Sequence, residues 1–269
     1  MNAPLRAAVL GTGVWGPGLT GWDAACRMLR DPDPAVPPEP ELPQAPMLPA
    51  TERRRATPST RLALAVAAEA VGAAGLEAAT LPAVFATSAG NPEIVNAMCV
   101  SMAERDYAVS PTRFHNSVHN AASGYFGIGA SSRRPVTSLA GGDAGAGVGL
   151  LEALVQVATD REPVLLVCVD VGYPFPLSEV RPMVGQWAVA LVLAPPERGP
   201  GRTRLAASLT AEPRPNPLLG HPALEAACAA NPSARMLPLL MRLATGRDGP
   251  VWLPAGVAGH LHVDVGSSA

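Results

Sequence analysis

The chain of 269 residues contains no lysine; all twenty of its basic side chains are arginine. A Schiff base, or any other chemistry that runs through a lysine amine, is therefore excluded. Net charge is −2 and the isoelectric point about 6.2, so no surplus of positive charge argues for nucleic acid. Cysteine is sparse. Cys26, Cys99, Cys168 and Cys228 are widely scattered without a CxxC pair, which reads as buried, reduced thiols in a cytoplasmic setting. No apolar run approaches the roughly 18 residues that span a bilayer. The N-terminal stretch is short in apolar residues and broken by glycine, so it reads as a first strand and not as a signal peptide.

What the chain does have is enough apolar residue, 48%, to bury one large core or two small ones. Proline is concentrated in residues 31–50, DPDPAVPPEPELPQAPMLPA, where it forbids helix and predicts an extended surface loop. The organising stretch is PVTSLAGGDAGAGVGLLEALVQVA, residues 135–158. It predicts a short strand (Val136, Thr137, Ser138, Leu139), a sharp turn of small residues, and a helix opening at or beside Asp143. A strand turning abruptly into a helix is the architecture of a nucleophile elbow, where free backbone N–H groups favour a developing negative charge. Enzymes place Ser or Cys there, whereas this chain places Asp143, which also reads as an ordinary helix N-cap.

Alternation of apolar strand and helix through residues 5–195 predicts an α/β fold. GTGVWG at Gly11–Gly16 matches GxGxxG, but Pro17 and Gly18 follow at once, so no helix opens where a pyrophosphate would need one. Arg53, Arg54 and Arg55 read as a solvated approach to the following helix, or as a docking point for an acidic partner. His115 and His119 stand four apart without the Glu of an HExxH motif, so no metal is expected.

Four segments together carry a resemblance. They are the opening strand with GTGVWGPG, RLALAVAAEAVGAAGL, VSPTRFHNSVHNAASGYFGIGASSRRPVTS and VGQWAVALVLA. In order and spacing, residues 5–196 resemble the N-terminal half of β-ketoacyl-acyl-carrier-protein synthases, which have the thiolase fold. The resemblance implies a mixed, mostly parallel five-stranded sheet covered by helices on both faces. Residues 1–200 would form the synthase-like domain, and residues 201–269 a small αβ extension on the same core. Laid without gaps through Ser110-Pro111, Asn120, Gly124 and Pro135, the family's catalytic Cys falls on Asp143. His221, His260 and His262 sit in neither of that family's His motifs.

The resemblance therefore implies a subunit without its own condensation chemistry, similar to a chain-length factor of aryl polyene pathways. Its partners would be a full-length ketoacyl synthase, in a heterodimer or heterotetramer, and acyl carrier protein; no cofactor is expected. Met98, Met102, Phe114, His115, His119, Tyr125 and Phe126 are the tunnel or interface candidates. Val136–Leu139 is the expected edge strand that meets the partner. Two alternatives remain open: an acyl-thioester transferase or hydrolase using Asp143 with His115 or His119, and a nucleotide-binding module on Gly11–Gly16.

Overall fold

The computed structural model of the chain describes residues 3–31, 40–105, 108, 110–183, 185–212, 214–256 and 259–266. Strand β1 (Leu5–Gly16) turns through β2 (Leu19–Thr20) into helix α1 (Trp22–Arg30). Helices α2 (Ala50–Arg55) and α3 (Pro58–Ala74) lead to β3 (Ala83–Thr87), and then come α4 (Pro92–Ala103), α5 (Pro111–Asn116) and α6 (Ala121–Ala130). The central unit is β4 (Val136–Ala140), α7 (Gly145–Asp160), β5 (Val164–Val171), the short α8 (Leu177–Val180) and β6 (Gln186–Ala194). The remainder supplies β7 (Arg204–Thr210), α9 (Pro222–Ala230), α10 (Leu237–Thr245), β8 (Gly249–Pro254) and β9 (His260–Gly266).

Local chemistry explains the helix boundaries. The Thr57 hydroxyl accepts from the Thr60 N–H ahead of Pro58, and α3 ends on Gly75 in the left-handed region. Asn91 caps α4 in the same way through the Ile94 N–H, with Pro92 in its first turn.

The nine strands of the described residues join one sheet in the order β4-β3-β5-β6-β1-β7-β9-β8, with β2 paired to β1. The sheet is thus larger than the five strands expected. Its parallel part is confined to β3–β4 and β3–β5, and the remaining pairings are antiparallel. The reason is physical: a continuous apolar run reports only that both faces of a strand are covered, and either kind of neighbour satisfies it. Strand β8 escaped the sequence reading because Pro250 and Pro254 argue against a strand anywhere except at an edge.

The strands divide their side chains between two cores. Val84, Ala86, Leu166, Cys168, Val189 and Leu191 face α7 through Leu150, Leu154 and Val157. Their alternates Phe85, Leu165, Val167, Ala188 and Ala190 face α3 through Leu62, Val66, Ala67 and Ala70. Helices therefore cover both faces, and Val251, Leu261 and Val263 of the last strands continue the first core. The expected Pro-rich surface loop is corrected in part. Residues 32–39 lie outside the described residues, but Ala45 and Leu48 are buried in the second core. Arg61 holds this segment by donating to the Pro43 and Leu42 carbonyls.

The GxGxxG reading also dissolves in the structure. Gly11–Gly16 lies inside β1, and a Cβ at Gly11 or Gly13 would sit 2.0 Å from the Ala70 carbonyl oxygen or 2.2 Å from that of Val66. These glycines let α3 lie directly on the strand; they do not open a phosphate loop.

Candidate functional site

The turn after β4 is shaped by its glycines. The Gly141 N–H donates to the Thr87 carbonyl at 2.9 Å and the Gly142 N–H to that of Ser88 at 3.0 Å, with Gly142 at φ +54°. A Cβ at Gly147 would lie 2.0 Å from the Pro254 carbonyl oxygen, and one at Gly149 would lie 2.6 Å from the Ala86 Cβ. The sequence GGDAGAGVG is thus what allows α7 to start against the ends of β3 and β8. The elbow is present, with Asp143 at its tip.

Asp143 does not cap the helix. A 3-10 turn, Gly142–Ala144, is inserted before α7, and Ala144 takes the N-cap position without any side-chain bond. The carboxylate turns outward instead. Arg181 Nη2 donates to its Oδ1 at 2.6 Å, Arg235 Nη2 stands 3.7 Å from Oδ2, and Arg235 Nη1 donates to the Asp143 carbonyl at 2.6 Å. Arg181 also lies 5.7 Å from the Tyr173 ring centroid. The Asp143 side chain is 61% exposed, and an ion pair of this kind is worth about 0.2–1 kcal/mol. The cluster therefore sets geometry and charge more than stability.

Behind the elbow lies a second carboxylate that the sequence reading passed over. Asp170, only 2% exposed at the end of β5, accepts from the Thr87 hydroxyl (3.1 Å), the Ser88 N–H (2.7 Å) and the Ser233 hydroxyl (2.7 Å). Burial pushes its carboxyl above the usual carboxylate range, and the donors only partly offset this. Asn231 holds the same turn by accepting from the Ser233 and Ala234 N–H groups. Asp170 thus ties the end of β3, from which the elbow hangs, to the turn that carries Arg235. The available signal was a lone acid inside the apolar run VLLVCVDV.

The predicted candidates separate into two groups. Tyr125 and Phe126 are core residues, 1% and 0% exposed, with Phe126 against Phe85 at 5.5 Å between centroids. Helix α6 turns both inward onto β3 and α3. Met102 and Phe114 are exposed and Met98 is half-buried. Other exposed apolar side chains are Val95 and Val100 on α4, Val118 after α5, Ile128 on α6 and Val136 on β4. Within α4 only Pro92 is buried, so Cys99 is exposed, against the expectation of a buried thiol. Burial raises the other three thiols, Cys228 to about 11, away from reactive thiolate.

His115 meets Tyr125 edge-on at 5.7 Å, and His119 packs its backbone on Gly90. The partners of Asp143 are arginines, so the structure does not bring these histidines to it. Among the described residues no group of three or more His, Cys, Asp or Glu could hold a metal, and no helix is long and apolar enough to cross a membrane. Strand β4 stands at one end of the sheet, where among the described residues its only strand partner is β3.

A three-layer α/β fold whose elbow feeds a glycine-packed helix from the sheet edge is the scaffold of the thiolase-like condensing enzymes. The chain belongs to the beta-ketoacyl synthase, N-terminal domain family, which it matches over residues 27–246. No curated protein matches it. Among solved structures it is similar to a chain in the complex of the ketosynthase ApeO with its chain length factor ApeC from Xenorhabdus doucetiae. That match has 20% identity and a TM-score of 0.73, covering 97% of this chain and 99% of that one. It is also similar to a chain of the ishigamide ketosynthase/chain length factor, at 14% identity and a TM-score of 0.71 over 97% and 99%. A beta-ketoacyl synthase from Burkholderia phymatum STM815 aligns at 13% identity and a TM-score of 0.57, over 85% of this chain and 70% of that one. At these identities the likeness is one of fold.

Proposed function

We propose that this chain is a non-catalytic, chain-length-factor-like partner of a full-length β-ketoacyl-acyl-carrier-protein synthase. Together they would form a condensing enzyme that extends acyl chains on acyl carrier protein, as in cytoplasmic aryl polyene assembly. One observation carries the reading. The elbow that presents a thiol in the synthases presents Asp143 here, and its carboxylate is held by Arg181 with Arg235 beside it. A carboxylate is a poor nucleophile toward a thioester, and an anhydride formed from it would be labile.

The surface supports a partner-dependent role. Within α4 only Pro92 is buried, Val95, Val100 and Met102 are exposed, and exposed apolar surface of this kind marks an interaction site. In this reading Met98, Met102 and Phe114 line the shared acyl tunnel or its rim, where side-chain bulk limits product length.

The test is co-expression with a full-length synthase, followed by size exclusion with light scattering and a condensation assay on carrier-protein thioesters. The expected result is a stable complex, with condensation only when the synthase is present. Condensation by this chain alone, or a monomer that ignores every such synthase, would overturn the proposal.

A further inference from the structure

A single sheet has two edges, and each presents unpaired N–H and C=O groups that another chain can use. In this molecule the edges are β4 and β8, and they are treated differently. We infer that Asn216 closes the β8 edge, so that among the described residues β4 is the edge left open to a partner strand.

The geometry at β8 is specific. Asn216 Nδ2 donates to the Trp252 carbonyl at 2.8 Å, and the Trp252 N–H donates to Asn216 Oδ1 at 2.7 Å. One side-chain amide thus makes both bonds that a neighbouring strand would make there. In an antiparallel pair, alternate residues face outward together, so Pro250 and Pro254 share the outward side with Trp252. Proline has no N–H. Trp252 therefore carries the only outward donor among these three residues, and Asn216 occupies it. The Pro254 carbonyl is covered in turn, since α7 approaches it closely enough that a Cβ at Gly147 would lie 2.0 Å away. Asn216 itself stands between Pro215 and Pro217, which keep its segment from becoming a new edge.

Strand β4 has none of these devices. The Ala83 N–H donates to the Pro135 carbonyl and the Gly141 N–H to that of Thr87, so residues 135, 137, 139 and 141 face β3. Val136, Ser138 and Ala140 then turn their backbone groups outward, and all three have an N–H to give. Sheet-edge assembly through this fold consequently stops at one partner, a stoichiometry that rests on the proposed function for the partner's identity.

Hydrogen exchange and sedimentation of the full chain test the inference. In the unmodified protein the Trp252 amide should exchange at least tenfold more slowly than those of Val136 and Ser138. In Asn216→Ala it should exchange at least tenfold faster than in the unmodified protein, while amides of β5 keep their protection. The variant should also gain concentration-dependent mass beyond any that the unmodified chain shows. Asn216→Ser, whose side chain is too short to span both bonds, serves if the first variant does not fold and carries the same expectations. A Trp252 amide that exchanges freely from the start, or is unchanged in the variant, would overturn the inference. So would a fast-exchanging variant with unaltered mass. Failure of the chain to bind any synthase would instead overturn the proposed function and leave this result standing.

Discussion

Asp143 and Asp170 lie on either side of the same elbow in opposite surroundings. Asp143 is exposed and held by arginine, whereas Asp170 is enclosed and held by neutral donors. The second arrangement has a consequence in pH. A carboxyl whose pKa is raised by folding holds its proton more tightly in the folded chain than in the unfolded one. Its contribution to stability is fully present below the unfolded pKa and is lost as pH rises through the raised folded value. Glu69 is raised by burial as well, despite accepting from the Val14 and Trp22 N–H groups, and it acts in the same direction. Urea unfolding across pH 4 to 8 should therefore show a component that falls with rising pH, and Asp170→Asn should diminish it. Asp170→Ala should cost about 1–3 kcal/mol for each donor left unpaired. At the same scale, two glycines make opposite predictions. Gly147→Ala meets the Pro254 backbone and should destabilise by about 1–3 kcal/mol, seen as a lowered Tm. Gly72→Ala, in α3 with nothing within 4 Å of its new Cβ, should stabilise by about 0.5–1 kcal/mol.

Helix α4 is the element whose composition conflicts most with its place. Its sequence PEIVNAMCVSMA is that of a helix buried all round, yet within this chain only Pro92 is buried. The proposed partner would resolve the conflict. Val100→Glu and Met102→Glu, both at exposed positions, should change the stability of the isolated chain by no more than about 0.5 kcal/mol. Both should abolish co-purification with the synthase, and retention of the complex would show that α4 lies outside the interface. Several elements were legible in advance because their signals are local. Proline and capping residues mark the starts of α3 and α4, and unbroken β-branched runs mark β5 and β6. The capping role expected of Asp143 was misread because a 3-10 turn adds residues that no periodicity announces. Tyr125 and Phe126 were ambiguous because α6 is apolar on every side, so composition could not say which face turns inward.

At the scale of the molecule the sheet has one guarded edge and one open edge, an asymmetry that suits the proposed pairing subunit. If the complex forms through β4, its mass should correspond to one copy of each chain at every concentration at which it is stable. The last three strands create this asymmetry, because without β7, β9 and β8 the sheet would end on β1 with a second edge to satisfy. Asp170 joins the ends of β3 and β5 to the turn Ser233–Met236, more than sixty residues further along the chain.

By itself the sequence determined the family, the position of the elbow, the carboxylate at its tip and the placement of most helices. These depend on residue types at short spacing, which local sterics and capping translate directly into structure. Only the tertiary structure decided the order and direction of the strands, the arginine partners of Asp143, the burial of Asp170 and the closing of β8 by Asn216. Those features join residues dozens of positions apart. Which distant groups meet is settled by the packing of two cores at once, and no stretch of the chain carries that information alone.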